Sequence, residues 1–206
     1  RHTRYFLASR GLGDVYKRQI DGKALADAAK RIHAEAIQIW TDPDGNPYEN
    51  DLFKPKGQMT LEPMTIQSAY GPIGLPAHQA VYPGIGTADG KPLNAQHDYV
   101  IRMSKEDMPP STAFWSVTLY DAENGFFIPN GRNKYSVGEN AGMKLNDEGG
   151  IEIHIAAEKP EGVPEENWLP INRGDEVLDL VMRIYAPDVE KMKTWTAPKA
   201  EIVGDE

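Results

Sequence analysis

Not one cysteine occurs among the 206 residues. Its absence excludes a disulfide framework, a zinc–thiolate site and a cysteine nucleophile. Positive charge is also in short supply, with 22 Lys and Arg against 31 Asp and Glu and a formal net charge of −9. A general nucleic-acid binder needs a basic footprint, so nucleic acid is not an expected partner. No apolar run approaches the ~18 residues of a membrane span, and none is expected in this chain. What the sequence has in quantity is turn chemistry, 19 Gly and 16 Pro, which implies many short elements. Hydrophobic residues make up 40%, enough for a folded core. The length suits one domain of ~100–200 residues with additional segments.

Residues 1–19 stand apart. They carry Arg1, Arg4, Arg10, Lys17 and Arg18 against a single acid, Asp14. The run Asp14-Val15-Tyr16-Lys17-Arg18-Gln19 resembles one translated frame of a sequencing-library adapter, so the segment is excluded from fold reasoning. Gly11-Leu12-Gly13 within it suggests a phosphate loop only superficially, because no strand and helix flank it. Residues 20–75 read as a helix followed by an irregular linker from a truncated upstream region, and 76–206 as the main domain.

From Asp21 to Trp40 the pattern is helical. Leu25, Ala28, Ala29, Ile32, Ala36, Ile39 and Trp40 form one stripe at spacings of three and four, Asp21 is a candidate N-cap, and Thr41–Gly45 stops the run. His33, beside the stripe, reads as a helix residue rather than a ligand. Residues 41–76, rich in Pro, Gly, Asn and charge, read as an irregular segment.

Beyond a strong turn at Thr87–Pro92 the period changes to two. Tyr99, Ile101 and Met103 alternate, and Phe114–Tyr120 reads as a central strand. Asn124-Gly125 followed by Phe126–Ile128 predicts a hairpin, and Asn146–Gly150 a second one. Ile151, Ile153 and Ile155 are expected to face a core, with Glu152 and His154 outward. In the last strand Leu178, Leu180, Met182 and Ile184 share one face, while Val177, Asp179, Val181, Arg183 and Tyr185 share the other. Short antiparallel strands with dense turns predict a mainly β fold, an antiparallel sandwich or jelly roll with an N-terminal helix.

Several motifs carry a family resemblance. Phe114–Asp121, Asn133–Gly138, Asn167–Pro170, Arg183–Pro187, Trp195 and Pro198, with the upstream Ala80–Tyr82 and Asp89–Leu93, together resemble the domain-of-unknown-function 1214 family over about residues 76–203. The resemblance implies a β-sandwich of jelly-roll type. It also implies a bacterial protein in which this domain follows a second uncharacterised domain, numbered 1254, and which can carry an export signal. A periplasmic or secreted setting and a missing upstream partner domain follow from the resemblance alone. It implies no established reaction and no cofactor.

Chemistry is harder to find in the residues. Asp89, Asp98, Asp121 and Glu123 lie in candidate loops, where a hydrolase would use two facing carboxylates and Arg183; as turn residues they need no such role. His78, His97 and His154 lack metal-ligand spacing, and no serine lies in a Gly-x-Ser-x-Gly elbow. The aromatic set Trp115, Tyr120, Tyr135, Trp168, Tyr185 and Trp195 either fills the core or offers stacking faces. Arg183, if half-buried, needs a carboxylate or carbonyl partner, and an ion pair is expected. The expected site for a small sugar or apolar ligand combines Asn133, Tyr135, Asn167, Trp168 and Arg183. A third reading makes the domain a packing surface for its missing neighbour, marked by an exposed apolar patch.

Overall fold

The computed structural model describes residues 21–40, 53, 57–70, 74–174 and 176–204. The expectations for residues 1–19 and for 41–52 lie outside the described residues. Among those described, the chain is mainly β, with nine strands in two sheets and few helices. The described residues fall into two compact units, one holding two helices and the other both sheets.

In the helical unit, α1 spans Gly22–Trp40 and begins at the expected cap. The Asp21 Oδ1 accepts from the N–H groups of Lys23 (2.9 Å) and Ala24 (3.2 Å), two of the donors that a helix start leaves without partners. Ala36 is buried, whereas Leu25 and Ile32 in the same stripe remain exposed. A second helix, α2 (Leu61–Tyr70), corrects the reading of this stretch as irregular. Its apolar residues follow no clear helical stripe, so periodicity carried no signal. Pro63 falls in the first turn, where a missing N–H costs no helical hydrogen bond. The two helices pack on each other.

The β unit contains β1 (Ala80–Val81), β2 (Leu93–Asn94), β3 (Tyr99–Met103), β4 (Ser111–Asp121), β5 (Ser136–Gly138), β6 (Ile151–Ala156), β7 (Trp168–Pro170), β8 (Val177–Pro187) and β9 (Ala200–Ile202). A short helix, α3 (Val189–Met192), follows β8 and is capped by Asp188. One sheet runs β1-β8-β4-β5, with β2 also on β8; the other runs β7-β6-β3-β9. Among the described strands, all pairings but one are antiparallel. β6 and β7 run parallel, against the expectation of a wholly antiparallel sheet, because the chain leaves Ala156 and returns through a 3₁₀ turn at Glu165–Asn167 to re-enter in the same direction.

Alternation decides what each strand buries. In the long β4–β8 pair, Trp115, Val117 and Leu119 oppose Ile184, Met182 and Leu180, and all six are buried. They join Tyr99, Ile101, Ile151, Ile153 and Ile155 of the second sheet in one core. The intervening pairs, Ser116 with Arg183, Thr118 with Val181 and Tyr120 with Asp179, lie on the opposite face. That outer face positions the candidate site.

Both hairpin expectations change. The Asn124-Gly125 turn forms, with Gly125 at φ +69° and the Asp121 N–H donating to the Phe126 carbonyl (2.9 Å). Phe126–Ile128 is not a strand, however; Pro129 cannot donate to a ladder, and the partner of β4 is β5. Asn146–Gly150 closes a tight turn around the Asn146 side chain, but β6 then pairs with the distant β3.

Candidate functional site

The loop between β4 and β5 folds back over the outer face of the first sheet and leaves a cavity of about 460 Å³. Thr118 and Tyr120 of β4 and Arg183 of β8 contribute from the sheet; Phe127, Asn133, Lys134, Tyr135 and Ser136 contribute from the returning chain. Three rings form a continuous stack: Phe127 lies 5.3 Å from Tyr120 and 4.7 Å from Tyr135, with interplanar angles of 17° and 12°. Asn130 holds this loop in shape. Its Oδ1 accepts from the N–H groups of Arg132 (3.1 Å) and Lys134 (3.2 Å), and its Nδ2 donates to the Lys134 carbonyl (2.8 Å). Between them Asn133 takes a left-handed conformation, φ +51°, which asparagine tolerates better than most residues.

Arg183 has no carboxylate partner among the described residues, contrary to the expected ion pair. Its Nη2 donates to the Tyr120 hydroxyl at 2.6 Å, and the guanidinium carbon lies 5.4 Å from the Tyr120 ring centre. Its Nη1 is buried without a hydrogen-bond acceptor. Asp179, on the same strand face, feels the Arg183 charge only through space; desolvation raises its carboxyl above the ordinary value, and Arg183 partly opposes that rise. Lys134 points elsewhere, its ammonium donating to the Glu165 carbonyl. Desolvation lowers the Lys134 ammonium from its ordinary value, with Glu165 and Glu166 opposing.

Of the five residues expected to form a site, Asn133, Tyr135 and Arg183 line this cavity, and Asn167 and Trp168 do not. Asn167 is buried and its amide is used in full: Oδ1 accepts from the Lys144 N–H (2.8 Å), while Nδ2 donates to the carbonyls of Lys144 (2.8 Å) and Glu152 (3.1 Å). Trp168 is 5% exposed and donates its indole N–H to the Ala156 carbonyl (2.9 Å), with Arg132 set 5.1 Å over its ring. Both residues tie β7 into the fold. Phe127, Lys134, Thr118 and Ser136 were missed. Lys134 and Ser136 sit inside the Asn133–Gly138 motif, which was a usable signal; Phe127 follows Asn-Gly as an aromatic left half exposed.

The loop carboxylates are separately engaged. Asp121 caps its own turn, accepting from the Asn124 side chain (2.6 Å) and the Glu123 N–H (2.8 Å), and these bonds hold its carboxyl below the ordinary value. Asp89 closes the turn before β2 with Lys91, whose side chain and backbone bring its carboxyl down to about 2. Asp98 pairs with Arg173 at 2.6 Å and accepts from the Ala157 N–H. General acid catalysis at neutral pH needs a raised carboxyl, the reverse of Asp89 and Asp121. No carboxylate or histidine lines the cavity. His154 stands on the polar face beside Glu152, 3.4 Å away, and His78 and His97 are exposed. Among the described residues no group of three His, Asp or Glu is placed to hold a metal ion. No described helix is long and apolar enough to cross a membrane.

Two solved structures of limited sequence similarity match the chain. The VPA0106 protein from Vibrio parahaemolyticus is 24% identical and superposes with a TM-score of 0.64, over 83% of this chain and 42% of that one. An uncharacterized protein from Burkholderia cenocepacia is 17% identical with a TM-score of 0.42, over 66% of this chain and 32% of that one. The chain therefore spans less than half the length of either. It matches no curated protein. The first likeness supports the fold, and a family model described as "Protein of unknown function (DUF1214)" matches residues 79–189, so the chain belongs to the DUF1214 family.

Proposed function

We propose that the β unit is a non-catalytic sandwich domain of jelly-roll type that binds a small molecule in the cavity beneath the β4–β5 loop. The observation that carries this reading is the convergence of Asn133 and Tyr135 from one motif and Arg183 from another on one cavity walled by stacked rings. Flat aromatic faces beside a few fixed polar groups suit a sugar or apolar ring. A hydrolase reading loses its support because none of Asp89, Asp98, Asp121 and Glu123 lines the cavity, and the first three are engaged by turn bonds or an ion pair elsewhere. The test is a protein-observed NMR screen of methyl glycosides and small neutral ring compounds against the intact chain. Hits that shift the Thr118, Tyr135 and Ser136 resonances, and weaken at least tenfold in Tyr135→Ala, support the proposal. Hits confined to other surfaces, or none at all, overturn it.

A further inference from the structure

We infer that the cavity takes a ring compound bearing a carboxylate, with Arg183 as its anchor; this rests on the binding reading above and adds the ligand's charge. A guanidinium offers five N–H donors in a planar fork, matched to two carboxylate oxygens. Here one edge is half used. Nη2 is held by the Tyr120 hydroxyl at 2.6 Å, while Nη1 is buried and has no acceptor. A buried donor without a partner is costly, and a buried cation without a counter-charge more so. No carboxylate among the cavity-lining residues supplies that charge. Asp179 influences Arg183 only through space, and Lys134 is committed to the Glu165 carbonyl.

An incoming carboxylate provides both what Nη1 lacks and the missing negative charge. Because Nη1 is shielded from solvent, the guanidinium must turn about its terminal bonds to present the fork, giving up its bond to the Tyr120 hydroxyl. A neutral ligand gains none of this, so the site discriminates by charge as well as shape.

Matched probes test the inference on the intact protein: benzoate, benzamide and phenyl phosphate, titrated while following the Arg183 Nε–Hε resonance. Benzoate is expected to bind at least tenfold more tightly than benzamide. Arg183→Met should remove that preference, and Arg183→Lys should restore part of it. Equal affinity of benzoate and benzamide in the unmodified protein overturns the inference without requiring any variant to fold. Phenyl phosphate binding more tightly than benzoate overturns it in favour of a phosphate ligand. If no probe moves the Arg183 resonance, the carboxylate anchor falls, whereas the cavity reading stands or falls separately on the neutral-compound screen.

Discussion

Truncating Trp168 removes a side chain that is 5% exposed and whose indole N–H satisfies the Ala156 carbonyl. Trp168→Ala is therefore expected to cost ~3–5 kcal/mol in denaturant unfolding, as loss of a core aromatic does. Ile153, fully buried at the centre of β6, should lose ~2–5 kcal/mol on substitution by alanine, and a near-neutral result would contradict its inward placement. Asp89 offers a check by pH. Its carboxyl falls from an ordinary value of 3.8 to about 2, chiefly through the Lys91 side-chain bond. A depressed carboxyl contributes stability that is fully present above the ordinary value and is lost as pH falls through the folded one. A carboxyl-carbon NMR titration should place the Asp89 midpoint near 2, and Lys91→Met should move it upward.

At the scale of elements, two backbone positions govern the sheet beside the cavity. A Cβ on Gly138 would lie 2.7 Å from the Ser116 Cβ and 2.8 Å from the Trp115 carbonyl oxygen, so the β4–β5 pairing leaves no room for a side chain. Gly138→Ala should destabilise by ~1–3 kcal/mol through overpacking, and should loosen the loop that walls the cavity. Ala186 near the end of β8 takes φ +46°, next to a register irregularity between Ser111 and Phe114. The hydroxyls of Ser111 and Thr112 donate to the carbonyls of Tyr185 and Ala186 there, at 2.7 and 2.8 Å. Relieving the left-handed strain by Ala186→Gly should raise stability by ~0.5–1 kcal/mol, measured as a shift in the urea midpoint at constant slope. Two of the misread elements have local causes. α2 lacks a continuous apolar stripe, and the Asn124-Gly125 turn leads not into a ladder but into Pro129 and a long return.

For the whole molecule, the β unit carries its own core, drawn from both sheets. We propose that residues 1–19 take no part in it; their deletion should change unfolding free energy by less than ~1 kcal/mol, and a larger loss would show that they pack on the fold. Much of the β unit was legible because strand alternation is a local property of the chain. The sets Ile151-Ile153-Ile155 and Leu178-Leu180-Met182-Ile184 name their buried faces without knowledge of any partner. The same rule, applied to β8, already set Arg183 and Asp179 away from the core. What alternation cannot supply is pairing. The register that places Ser116 opposite Arg183 and the Tyr120 hydroxyl on its guanidinium joins residues far apart in sequence, and only tertiary structure decides such contacts. For the same reason Asn167 and Trp168 could not be told from binding residues by their motif. An amide beside an aromatic reads alike in either role until the parallel β6–β7 pairing surrounds both with backbone groups and buries them. Sequence by itself determined a mainly β chain and the buried faces of β3, β6 and β8, through local periodicity, while its motifs carried the family resemblance; the cavity and its unpaired guanidinium were decided by long-range packing.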